Sequence, residues 1–231
     1  MTRGARSGPF SEDGTLSIRI VIALIAALAA LPAAAATRLA QQTTFHSSVA
    51  PIDAAMGAGM TSWHRGCPVS VDGLRVVTLS YWGFDGRVHE GRLVVGKRHT
   101  TAVVRAMRAV FAARFPIRRM RPVDEYGAND DRSMAADNTS AFNCRRVEGS
   151  RSWSEHAYGR AIDINPLENP EIRSAHVSPP AGAAYADRSR RARGMIHAGD
   201  AVVRAFAAVG WSWGGYWHSL EDYQHFSATG R

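Results

Sequence analysis

Lysine is nearly absent from this 231-residue sequence: Lys97 stands alone, and positive charge rests on arginine. We attach no functional meaning to that bias. Cysteine is scarce as well, with only Cys67 and Cys144. Their wide separation excludes a cysteine-rich zinc knuckle. A disulfide and a pair of buried thiols both stay open. The one long apolar run, Ile20 to Leu31, is short of the ~20 residues that span a bilayer. No cysteine follows it, which argues against a lipid-anchored start. Interleaved basic and aromatic residues are missing, as is any nucleic-acid motif, so no nucleic-acid partner is expected. There is no internal repeat.

What is present reads as a globular chain. Hydrophobic residues make up 45% and charged residues 21%, enough for one domain with a core and extra segments. The start is a separate matter. Arg3, Arg6 and Arg19 precede the apolar run, and Pro32 with Ala33 to Ala36 follows it. That order defines a secretory signal over residues 1–36, cut near Ala36. An uncleaved anchor is the alternative, and it would be the only tie to a membrane. Removing the segment takes away three arginines and two acids and lowers the formal charge from +8 to +7. A basic secreted protein is drawn to anionic polymers, though charge alone does not say which.

Residues 37–62 are small, polar and aperiodic, and read as a linker or N-terminal arm ahead of a domain at 63–231. Leu74 to Trp82 is β-branched and aromatic, so it reads as a strand. Asp85-Gly86 signals a hairpin, with Arg87 to Val95 returning. Thr100 to Phe115 carries a helical apolar stripe ended by Pro116. Asp124 to Thr139 reads as a long polar loop. Ala161 to Asn165 alternates as a half-buried strand, and residues 166–190 as a loop. Ala192 to Val209 reads as a second helix, with Gly210 as its C-cap. The fold class is α+β: a small antiparallel sheet flanked by helices.

The chemistry concentrates in two segments. In Ser154 to Asp163, Ile162 and Ile164 should face the core, which turns Asp163 toward a cleft or solvent. His156 lies on the preceding turn, and Gly159 permits a sharp bend between them. A turn histidine and a strand carboxylate can converge on one ion. A catalytic zinc needs a third ligand and an open position. Asp222-Tyr223-Gln224-His225-Phe226 offers a histidine and, three residues earlier, a carboxylate. One group can hold a metal while the other moves protons. The other histidines (His46, His64, His89, His99, His176, His197 and His218) read as ordinary polar groups. Trp211, Trp213, Tyr216 and Trp217 read mostly as core, with one or two at the cleft. Gly214-Gly215 is a candidate for close approach of substrate backbone.

SEHAYGRAIDINP resembles the SxHxxGxAxD signature of the M15 zinc peptidases, the D-alanyl-D-alanine carboxypeptidase and L-alanyl-D-glutamate endopeptidase family. DYQHF resembles that family's second metal motif. RRMRPVDEYG, DNTSAFNCR, NPLENP and GWSWGGYW extend the likeness to the secreted branch, over roughly residues 63 to 227. The resemblance implies a hedgehog/DD-peptidase-like fold, with zinc held by His156, Asp163 and His225. It makes Asp222 the catalytic acid and base, where many members have Glu. It places Arg145 beside the substrate carbonyl, and Ser154 in substrate contact. For Arg145 a structural salt bridge is the rival role, and for Ser154 a turn or N-cap hydroxyl. The implied function is hydrolysis of peptidoglycan stem peptides by a secreted monomer, as endopeptidase or D,D-carboxypeptidase. A non-catalytic wall-binding module on the same fold is the alternative.

Overall fold

Alternating apolar residues and a tight Asp85-Gly86 turn dictate the first recognisable unit. The computed structural model describes Met1 and residues 44–231; the expected signal segment lies outside them. β1 (Ser47–Pro51), β2 (Leu74–Trp82) and β3 (Val88–Gly96) form an antiparallel sheet in that order. Gly86 takes φ 74° at the β2–β3 turn, a conformation that costs glycine little. Residues 37–62 read as linker or arm. Within that stretch β1 pairs along β2, and a short helix, α1 (Ala54–Gly59), follows it. Asp53 caps α1 by accepting from Met56 N at 2.7 Å.

Both faces of this sheet are covered. Val77, Leu79, Leu93 and Val95 pack on α2 (Thr100–Ala112) through Val103, Met107 and Val110. Leu74 and Val94 point the other way, onto Phe142, Cys144 and Met60, with Ile52 and Met56 against them. Each such aliphatic side chain contributes about 1.5–3 kcal/mol when fully buried. Cys67 and Cys144 are joined as a disulfide on this second side, which resolves the open choice between bridge and free thiols. Among the described residues no helix is long and apolar enough to cross a membrane.

The expected loop at 124–139 is not structureless. It holds a 3-10 turn at Val123–Tyr126, the helix α3 (Asp130–Ala135), and β5 (Asn138–Thr139), which pairs in parallel with β4 (Arg119–Met120). Asn129 caps α3 by accepting from Arg132 N at 2.8 Å. Residues 166–190 also gain structure: β7 (Glu171–Arg173) and β8 (His176–Ser178) form a hairpin.

The second helix is shorter than its periodicity suggests. It spans only Ala201–Ala207, as α4. Gly194 and Gly199 take φ 83° and 74°, which breaks any helix through them, and Asp200 becomes the N-cap. Met195 and Ile196 are still buried, but from a loop. α4 packs on α2 and supplies Val202 and Phe206 to the main core.

A third small sheet carries the site. β6 (Ala161–Asp163) pairs with β11 (His225–Ser227), and β11 with β9 (Ser212–Trp213), all antiparallel. β10 (Glu221–Asp222) joins the β7–β8 hairpin instead. Mixed helices and small antiparallel sheets make the protein α+β.

Candidate metal centre and cleft

Ser154 ends an extended stretch and starts a 3-10 turn at Glu155–Tyr158. Its Oγ accepts from His156 N at 3.3 Å, so the hydroxyl serves as an N-cap. Gly159 then takes φ 63°. A Cβ there would also lie 2.3 Å from Gly96 N, so glycine is required twice over. The turn delivers His156, and the chain enters β6 to reach Asp163.

Register brings the third residue in. Across the β6–β11 ladder His225 lies opposite Asp163, and Phe226 opposite Ile162. Ile162 and Phe226 are fully buried in the core, which turns His225 and Asp163 to the other face. Asp163 Oδ1 lies 3.0 Å from His225 Nδ1, and Oδ2 lies 3.1 Å from His156 Nε2. The two imidazole nitrogens are 3.2 Å apart. All three residues are buried.

The outer nitrogens are committed. His156 Nδ1 faces the Ala141 carbonyl, and His225 Nε2 faces the main-chain oxygen of Arg231 at 3.1 Å. A carbonyl only accepts, so both outer nitrogens carry the proton. A neutral ring then turns a bare lone pair inward. Two such lone pairs and a carboxylate converge, and only a cation or shared protons can satisfy them. Burial works against ionisation of Asp163, but His156 and His225 outweigh it and hold the carboxyl below the usual range. Burial likewise opposes charge on His156, and Asp163 reverses that and raises it.

The donor set fits a tetrahedral ion. Bonds of about 2.0–2.1 Å at tetrahedral angles place ligand atoms about 3.3 Å apart, close to the spacings found. These three residues are a group able to hold a metal. A second such group is His64, Cys67 and Cys144, but its sulfurs are bonded to each other and provide no thiolate.

The centre opens into a cleft of about 790 Å³. Asp222 borders it, half-buried, with an Oδ1 that is shielded from solvent and has no hydrogen-bond partner among the described residues. Burial pushes its carboxyl up to about 8, helped by Asp163 and Glu171 and partly offset by His225 and Arg145. Arg145 reaches the same cleft, and its Nη2 pairs with Asp130 Oδ2 at 2.7 Å. The main chain of Arg145 accepts from Ser154 N at 3.1 Å. The cleft therefore brings Arg145, Ser154, His156, Asp163, Asp222 and His225 together.

Several cleft residues had no clear signal in the sequence. Asp130, Glu171, Arg173 and His176 border it, supplied by segments that read as loops. Of the aromatics in the 211–217 segment Trp217 borders the cleft, 5.4 Å from the His225 ring, whereas Trp211 and Trp213 are core; Trp153 and Tyr158 border the cleft as well. Gly214 and Gly215, expected to meet substrate backbone, are close to the protein's own atoms. A Cβ at Gly214 would meet the Asp222 carbonyl at 2.6 Å, and one at Gly215 the Trp213 ring at 2.4 Å. Both glycines are used up by the protein's own packing.

Three residues able to hold a metal thus stand beside a carboxylate with an unpaired, solvent-shielded oxygen. The family model described as D-alanyl-D-alanine carboxypeptidase, of the M15 peptidases, matches residues 148–228. That segment is similar to the M15 peptidases, and it contains His156, Asp163, Asp222 and His225. Arg145 lies just ahead of it. No curated protein and no solved structure matches the chain.

Proposed function

We propose that this protein is a secreted, monomeric zinc peptidase that hydrolyses stem peptides of bacterial peptidoglycan, as an endopeptidase or D,D-carboxypeptidase. The observation that carries this reading is the meeting of His156 Nε2, His225 Nδ1 and the Asp163 carboxylate within about 3 Å of one another. M15 peptidases are generally zinc enzymes. Export is supported by the Cys67–Cys144 bridge, since disulfides persist in oxidising compartments.

His156, Asp163 and His225 would hold the ion, leaving one tetrahedral position open. Bound zinc supplies a Lewis acid that makes water nucleophilic near neutral pH and polarises a carbonyl. Asp222 removes a proton from the attacking water and returns it to the leaving amine. An unpaired carboxylate oxygen with a raised pKa suits a group that must take and give a proton in turn. Arg145 directs its guanidinium at the carbonyl oxygen as negative charge develops there. Asp130 holds Arg145 in that position.

The test is incubation of the protein with purified peptidoglycan, with and without a chelator, followed by mass analysis of released fragments. New peptide termini should appear only in the metal-loaded sample. Their position separates endopeptidase from carboxypeptidase. Metal-loaded protein that binds peptidoglycan but produces no new termini is a wall-binding module, and the peptidase reading is then lost.

A further inference from the structure

Gln224 stands between the proposed base and a proposed ligand, and the mechanism leaves it without a task. The chain bends at Tyr223 and Gln224, between β10 and β11. That bend is why Asp222, Gln224 and His225 all border the cleft, where a continuous strand would turn neighbours to opposite faces. Tyr223 takes the other direction. It packs at 5.8 Å from the Trp213 ring and under the Arg188 guanidinium.

Gln224 is 2% exposed. Its main chain is pinned, since its carbonyl accepts from Ile164 N at 3.0 Å and the Tyr223 carbonyl accepts from Trp213 Nε1 at 2.8 Å. The residue therefore cannot swing out to solvent without breaking the strand pairing. Yet its Oε1 is buried and accepts no hydrogen bond among the described residues. Asp222 Oδ1, two residues away, is in the same condition. Buried acceptors of this kind are rare in folded proteins, because desolvation without a partner is costly. Proton transfer accounts for the unpaired oxygen of Asp222. A carboxamide does not titrate, so Gln224 needs a neutral donor that comes from outside the protein.

We infer that Gln224 is a substrate-binding residue whose Oε1 accepts a main-chain N–H of the bound peptide beside Asp222. The inference rests on the peptidase reading. A peptide amide matches the carboxamide oxygen in charge and geometry, and binding it fixes the register of the substrate relative to the base. A site that leaves a buried acceptor unpaired discriminates strongly against a ligand lacking the donor.

The test uses a synthetic stem pentapeptide and its set of singly N-methylated analogues, with the wild-type zinc-loaded protein and Gln224→Met. The Met variant should raise KM about fivefold to tenfold, the size expected for one neutral hydrogen bond, with kcat and bound zinc within twofold. One N-methylation should raise KM by a similar factor in the wild type and leave the variant unaffected. Should Gln224→Met fail to fold, Gln224→Asn, which withdraws the oxygen by one methylene, takes its place under the same criteria. Equal KM in variant and wild type, or the same N-methylation profile in both, overturns the inference while leaving the peptidase reading standing. A wild type that cleaves no stem peptide sinks that reading first.

Discussion

Asp222 and Glu171 face one another as direct partners across the β7–β10 ladder. Two carboxylates are thereby held side by side at the cleft, and burial raises both. The like charge of Glu171 adds to burial in raising the Asp222 carboxyl. Replacing Asp222 by Asn preserves shape and removes the titrating group. Peptide hydrolysis should fall about 10²–10⁴-fold, while zinc content by atomic absorption stays at one per protein. Full activity in that variant would move the proton-transfer role elsewhere, with Glu221 and Glu171 the nearest carboxylates in sequence and in the sheet.

Metal binding should also appear in stability. An ion that binds only the folded chain raises the melting temperature by mass action. Zinc added to the chelated protein should raise Tm by several degrees, measured by calorimetry. The increment should vanish in His225→Ala. An equal zinc-dependent rise in that variant would show that the triad is not where zinc binds.

The Cys67–Cys144 bridge closes a loop of 77 residues. On a chain-entropy basis such a loop contributes about 4 kcal/mol. Cys67→Ser paired with Cys144→Ser should lower unfolding free energy by up to that amount in urea titration. Because Cys144 adjoins Arg145, whose main chain accepts from Ser154 N, activity should decline as well. Unaltered stability in the double variant would show that the bridge constrains little.

How much of this was legible in sequence varies by element, for physical reasons. The β2–β3 hairpin and α2 announce themselves, because long elements with one buried face impose a period on the sequence. His156 and Asp163 were recognisable as partners from a turn glycine and strand alternation. His225 was not, since its approach depends on β6–β11 register, which is a long-range property; a motif resemblance supplied it. The β7–β8 hairpin left no trace, because three-residue strands such as Glu171–Arg173 are too short to show a period. The second helix reads as longer than it is, because Met195 and Ile196 are buried at helical spacing from the true helix but reach the core from a glycine-broken loop.

Glu168 sets a pH dependence away from the cleft. Burial, with Asp137 beside it, pushes its carboxyl up to about 8, partly offset by Arg118. A raised pKa in the folded state means the group favours folding below its unfolded value of 4.5 and loses that contribution as pH climbs through about 8. Thermal stability of wild type should therefore fall between pH 5 and pH 8 more steeply than that of Glu168→Gln, which stays neutral throughout. Parallel Tm curves for the two proteins would count against this assignment.

The pairing of His225 with Asp163 and of Phe226 with Ile162 has one more consequence. Side chains on a strand alternate between faces, so a slip of one residue exchanges the two sets. A chain folded with β11 displaced by one position would bury an imidazole among aromatic rings and present a phenyl group to the cleft. No ion could settle there. If the triad takes a metal as proposed, uptake would report strand alignment: a misthreaded chain would lose the ligand set along with its register.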